Sequence, residues 1–160
     1  MSVAFTREDS AEAAAAVELP DRPISPHPNL VTRSGLMALD AAMAAARAAY
    51  HAALQIEDLN ERRNAVAAAS RDMRYFSERL GTAQLTPDPV ARGTVAFGSR
   101  VTFVRGDGPR QTFRIVGEDE ADPRAGSISY VSPVARALIG KLVGDHLVLG
   151  DREIEVLAIE

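Results

Sequence analysis

Apolar side chains at Leu36, Leu39, Met43, Ala46, Tyr50 and Ala53 recur at alternating steps of three and four, which lines them along one face of an α-helix. A second seam with the same spacing runs through Val66, Ala69, Met73, Phe76, Leu80 and Ala83. Between them lies the polar stretch Glu57-Asp58-Leu59-Asn60-Glu61, so the two helices are expected to fold back on each other as an antiparallel hairpin. Thr32 is placed to cap the first helix and Asp58 or Asn60 the second, with Glu61 in the first turn, where the helix dipole favours negative charge. A seam rich in Ala and Met allows close approach but buries little area. At about 25 cal/mol per Å² the hairpin should be only moderately stable alone.

The period changes after Leu85, where Thr86-Pro87-Asp88-Pro89 ends the helical pattern and reads as a linker. Val95, Phe97, Val101 and Phe103 then interleave with smaller or polar residues as a first strand. The turn Gly106-Asp107-Gly108-Pro109 leads into a second strand at Phe113, Ile115 and Val116. Ile128, Tyr130 and Val131 read as another short strand. Ser132-Pro133 supplies an N-cap followed by proline at the first helical position, and Gly140 closes a helix over about 133–139. Two further strands follow, at Leu147-Val148-Leu149 and at Ile154, Val156, Leu157 and Ile159. At the other end, residues 1–28 combine an Ala-rich acidic stretch, Glu8 to Glu18, with Pro20, Pro23, Pro26 and Pro28, and read as a mobile arm. The organisation is therefore arm (1–28), helical hairpin (29–85), linker (86–94) and a sheet domain (95–160). The fold class is α+β, with an antiparallel helical hairpin followed by a small antiparallel sheet carrying one short helix.

Composition narrows the chemistry. The chain has no cysteine, which excludes disulfides, thiolate zinc sites and thiol catalysis and fits a cytoplasmic protein. Aromatics make up only 5% of residues, as expected where part of the chain is slim helix. The first thirty residues hold no long apolar run, so neither a secretory signal nor a membrane span is expected. A net charge of −4 argues against sequence-specific DNA binding and favours a protein partner. His27, His51 and His146 share no spacing that suits zinc, and no nucleophile elbow or phosphate loop occurs. The acidic turn Glu118, Asp119, Glu120 and Asp122 lacks the order of a calcium loop and reads as a solvated surface segment. No cofactor of its own and no self-contained catalytic constellation are expected; the chain is not read as an enzyme.

The run IVGEDEADPRAGSISYVSPVARALIGK from Ile115 to Lys141, continuing into VGD, closely resembles the C-terminal domain of the bacterial Gre transcript-cleavage factors. The matching features are Gly117 to Asp122, Gly126-x-Ile128, the helix Ser132-Pro133-x-Ala135-x-Ala137-Leu138-x-Gly140-Lys141, and Gly144-Asp145. Thr32-x-x-Gly35 and Ala83-Gln84 carry the likeness upstream, so that it spans about residues 29–160. The resemblance implies an N-terminal antiparallel coiled coil and an FKBP-like C-terminal sheet domain. It implies a bacterial RNA polymerase core as partner, gripped at the rim of its secondary channel, with Val131, Ser132, Pro133 and Asp119 as the polymerase contacts. It also implies that tip acids in a D-L-x-E pattern, here Asp58, Leu59 and Glu61, help hold the polymerase's second magnesium ion against the 3′ end of backtracked RNA.

This chain departs from the family pattern in one dimension. Aligning Thr32-x-x-Gly35 and Asp58-x-x-Glu61 with that pattern leaves each coil helix roughly two turns short, about 10 Å at 1.5 Å per residue. Arg62 and Arg63 directly follow Glu61, where they can neutralise the tip carboxylates. Two alternatives to cleavage stimulation therefore stand: a non-cleaving occupant of the channel, and a relative of the regulator of nucleoside diphosphate kinase. Prolyl isomerase activity rests on the implied fold alone. The aromatics of the sheet domain, Phe97, Phe103, Phe113 and Tyr130, offer little to line a proline pocket.

Overall fold

A computed structural model describes residues 19–89 and 93–160. The acidic stretch Glu8 to Glu18 and positions 90–92 of the expected linker lie outside the described residues. The described residues fall into two compact units: those up to Ile24 together with Ala42–Ser77, and Ser25–Ala41 together with Glu78–Glu160. Helices α1 (Arg33–Ala53) and α2 (Leu59–Gly81) each contribute to both.

In the first unit the two apolar seams are the buried faces of their helices, as the periodicity requires. Met43, Ala46, Ala53 and Ala69 are buried, and Tyr50, Val66, Met73 and Phe76 are half-buried. The turn between the helices covers residues 54–58. Asp58, and not Asn60, caps α2, its Oδ1 accepting the Glu61 N–H at 2.8 Å.

The second unit contains the larger core. Strands β3 (Arg100–Arg105), β4 (Gln111–Val116), β5 (Ser127–Ser129), β6 (His146–Leu149) and β7 (Arg152–Ile159) form one sheet in the order β5-β4-β3-β7-β6. Helix α3 (Pro133–Leu138) buries Ala135 and Leu138 against Val101, Phe103, Ile115, Ile154 and Val156. The expected all-antiparallel sheet is corrected at one edge: β4 and β5 pair in parallel, Arg114 opposite Ser127 and Val116 opposite Ser129. The physical reason is the long connection from Gly117 to Gly126, which carries the chain back past β4 before it re-enters the sheet in the same direction, as a parallel pair demands.

The first expected strand also starts later than its apolar spacing suggests. Val95 and Phe97 precede β3, because Ala96 to Ser99 closes a turn in which Ser99 Oγ accepts the Ala96 N–H at 3.1 Å and the Ala96 carbonyl accepts the Ser99 N–H at 3.1 Å. Likewise β5 ends at Ser129, where the Ser132 N–H bonds back to the Ser129 carbonyl at 2.9 Å; the Tyr130 N–H still donates to the Val116 carbonyl of β4 at 2.9 Å, and Val131 lies beyond the strand.

Two elements escape any periodicity. β1 (Leu30–Val31) and β2 (Gln84–Leu85) form a two-stranded parallel pair, Leu30 opposite Gln84 and Val31 opposite Leu85, which ties the chain entering α1 to the chain leaving α2. Asn29 reinforces it, donating from Nδ2 to the Arg79 carbonyl at 2.7 Å and to Thr82 Oγ1 at 3.2 Å. The segment read as a linker continues the pattern: Thr86 N–H donates to the Val31 carbonyl at 2.9 Å, and Asp88 pairs with Arg114 at 2.9 Å.

Candidate functional site

Asp58 and Glu61 occupy the exposed end of the hairpin, one turn apart at the start of α2. One Asp58 oxygen is engaged by the Glu61 N–H, and a carboxylate has acceptor capacity for more than one partner. Arg62 directs Nη1 to the Ile56 carbonyl at 3.2 Å, so its guanidinium is tied to the turn between the helices. The tip thus presents two acidic groups within a single turn, a partial donor set for a hard cation. Among the described residues there is no cluster of three or more His, Cys, Asp or Glu side chains able to hold a metal without outside help.

The acidic turn of the second unit does different work from that expected of a solvated loop. Arg79, in the last turn of α2, is only 2% exposed, and its Nε donates to Asp119 Oδ2 at 2.5 Å. Glu118 Oε2 lies 4.0 Å from Arg79 Nη2 and, among the described residues, is buried without a hydrogen-bond partner, so it contributes charge and not a bond. Glu120 reaches the start of α1 and accepts from Thr32 Oγ1 and Ser34 Oγ, each at 2.6 Å. Thr32 in turn accepts the Gly35 N–H at 2.9 Å, completing the N-cap. Asp122 caps the short 3-10 turn Pro123–Ala125 by accepting the Arg124 N–H at 3.0 Å.

Glycine makes this clamp sterically possible. A Cβ on Gly35 would sit 2.6 Å from Glu120 Oε2, and a Cβ on Gly117 would collide with the Leu30 carbonyl oxygen of β1. The landmarks Thr32-x-x-Gly35 and Gly117-x-Asp119-Glu120 are therefore two halves of one contact. Sequence reading missed Arg79 entirely; the available signals were a glycine in the first turn of an Ala-rich helix and a second glycine directly before four clustered acids.

Of the remaining candidates, Ser132 caps α3, accepting the Ala135 N–H at 3.3 Å, and Pro133 opens the helix and is exposed. Val131 and Tyr130 line an open cleft of about 320 Å³ with His27, Arg136 and Ile139. The Tyr130 hydroxyl donates to the Pro28 carbonyl at 2.5 Å. Its pKa is raised above the usual tyrosine value, first by burial and then by the Glu118 charge, with Arg79 opposing. Asp119 does not join Val131, Ser132 and Pro133 as a free acid: its carboxylate is held by Arg79.

The family model for the C-terminal domain of the transcription elongation factors GreA/GreB matches residues 90–160, the stretch containing the acidic turn and α3. GreA of Chelativorans sp. is 40% identical over 118 residues, covering 71% of this chain and 70% of that protein. The chain belongs to the GreA/GreB family. GreB of Neisseria meningitidis serogroup A is 42% identical over 96 residues, which are 56% of this chain. The chain spans 59% of the length of that GreB. GreA factor homolog 1 (Gfh1) of Thermus thermophilus, at 23% identity, overlaps 84% of this chain and 99% of its own with a TM-score of 0.39, too loose an overlap to bear on the site. No helix among the described residues of this GreA/GreB family member is long and apolar enough to cross a membrane.

Proposed function

We propose that this chain binds the bacterial RNA polymerase core and regulates elongation in the cytoplasm through the secondary channel, stimulating hydrolysis of backtracked RNA by the polymerase's own active site. The observation that carries this reading is the exposed Asp58-x-x-Glu61 pair at the tip of a helical hairpin in a GreA/GreB family chain. Val131, Ser132 and Pro133, with the adjacent cleft, are the side chains that meet the polymerase. Asp119 supports that surface indirectly, by fixing the acidic turn through Arg79.

The donor set fits a magnesium ion that draws its other ligands from the polymerase and from water, because carboxylate oxygens are the ligands such a hard cation prefers. That ion would supply charge stabilisation at the phosphodiester under attack. Asp58 and Glu61 contribute oxygen ligands, and the Asp58 cap holds both acids in one turn. The chain contributes position and negative charge; the bond-breaking machinery belongs to the partner.

The test is release of short 3′-labelled fragments from a backtracked elongation complex at fixed magnesium. The chain should accelerate release, and Asp58→Asn with Glu61→Gln should remove about 100-fold or more of that acceleration, equivalent to several kcal/mol of lost transition-state stabilisation. Failure to accelerate release, together with slowed nucleotide addition, would instead identify a non-cleaving occupant of the channel.

A further inference from the structure

Residues 19–24, within the region read from sequence as a mobile arm, lie against α2 in the same compact unit. The Arg22 guanidinium sits 3.7 Å over the centre of the Tyr75 ring and 5.1 Å from that of Phe76. Its Nη1 also reaches Asp72 Oδ1 at 3.3 Å. One residue earlier, Asp21 Oδ1 accepts from Arg74 Nε at 2.6 Å. Tyr75 and Phe76 are themselves packed edge to face, their centres 5.3 Å apart.

Three features make this more than a surface coincidence. The ion pairs are reciprocal: an acid of the segment meets a base of the helix, and a base of the segment meets an acid of the helix. Exchanging the partners would set Asp21 against Asp72 and Arg22 against Arg74, like against like, so charge selects the register. Pro20 and Pro23 bracket the pair, and their fixed φ lowers the conformational entropy lost when the segment docks. Finally, the buried part of the seam in this unit is largely alanine, so the helix pair gains little from its own contact, and the aromatic surface that Arg22 covers adds to it.

We propose that residues 19–24 are a strap fastened along α2 that stiffens the helical hairpin, with Arg22 as its anchoring residue. The strap belongs to the hairpin unit and is not required by the sheet core. This inference is independent of whether the chain acts on polymerase, because its test uses the free protein.

The experiment is hydrogen exchange of the full chain, followed peptide by peptide. Arg22→Ala should speed exchange of α2 amides across residues 66–77 by about five- to tenfold, as loss of a cation–π contact and a half-exposed ion pair implies. Peptides from β3, β4 and β7 should keep their rates. Arg22→Lys keeps the charge but not the planar stack, and should recover only part of the loss. Unchanged exchange in α2 after Arg22→Ala would overturn the proposal, as would an equal acceleration in the sheet strands.

Discussion

Two short acidic stretches of the same chain have opposite fates. Asp58 and Glu61 stay exposed, and the cap between them is a bond inside their own first turn. Glu118, Asp119, Glu120 and Asp122 are taken up one by one: two face buried Arg79, one holds the start of α1, and one caps the next turn. Composition does not separate the two stretches. What separates them is the company each keeps: a buried arginine and two glycines that let backbone and carboxylate approach, against a tip flanked by solvent. Acidity marks a candidate ligand site only where nothing in the chain has already answered the charge.

The largest test of that contrast is Arg79→Ala. It leaves the Asp119 carboxylate, 17% exposed, without its cation and should destabilise the sheet unit by about 3–5 kcal/mol in denaturant melts. Replacing the pair together, Arg79→Met with Asp119→Leu, should recover much of the loss, because a buried ion pair exchanged for packed apolar groups is often neutral. A loss under about 0.5 kcal/mol, the level of an exposed surface pair, would erase the distinction between the two acidic stretches.

The contrast was only half legible in the sequence. Leu39, Met43, Ala46 and Ala69 announced the hairpin because helical period is a direct consequence of one-sided burial, and all four are buried. Ser132-Pro133 announced α3 because cap chemistry is local. The β1–β2 pair is too short to show a period, and the parallel β4–β5 pairing depends on where a long loop returns the chain. Arg79 lay hidden for a related reason: an arginine on an amphipathic helix reads as solvated until its partner, 40 residues on, is known. The proposal for the tip acids rests on the family resemblance, since an exposed helix start looks the same whether or not a metal meets it.

A smaller effect reads the charge of the acidic turn through its neighbour. The Tyr130 pKa is raised by burial and by Glu118, so the folded state holds the phenolic proton more tightly than the unfolded chain does. That contribution is complete below the unfolded tyrosine value of about 10 and is lost as pH climbs toward the higher folded value. Stability should therefore fall with pH on the alkaline side of about 10. Tyr130→Phe should flatten that limb while costing about 1 kcal/mol near neutral pH, where the bond to the Pro28 carbonyl is lost. An unaltered alkaline limb would mean that burial and the Glu118 charge do not together raise the Tyr130 pKa in the folded chain.

The smallest expected effect is the most discriminating at the tip. Asp58 has two roles there, capping α2 and carrying charge, and Asn is as good an N-cap as Asp. Asp58→Asn should leave the melting midpoint within the shift that a few tenths of a kcal/mol produces, whereas Asp58→Ala should lose about 1 kcal/mol by removing the cap. If the acid serves the polymerase, Asp58→Asn nevertheless removes most of the stimulation of RNA cleavage, so stability and activity part company at one residue. In the acidic turn no such separation is available, because removing charge there removes structure: Asp119→Asn should weaken the hold on Arg79 and lower stability, and the proposed polymerase binding with it. A variant Asp58→Asn that melts normally and still stimulates cleavage would assign Asp58 to the helix cap alone and leave Glu61 as the tip acid to test.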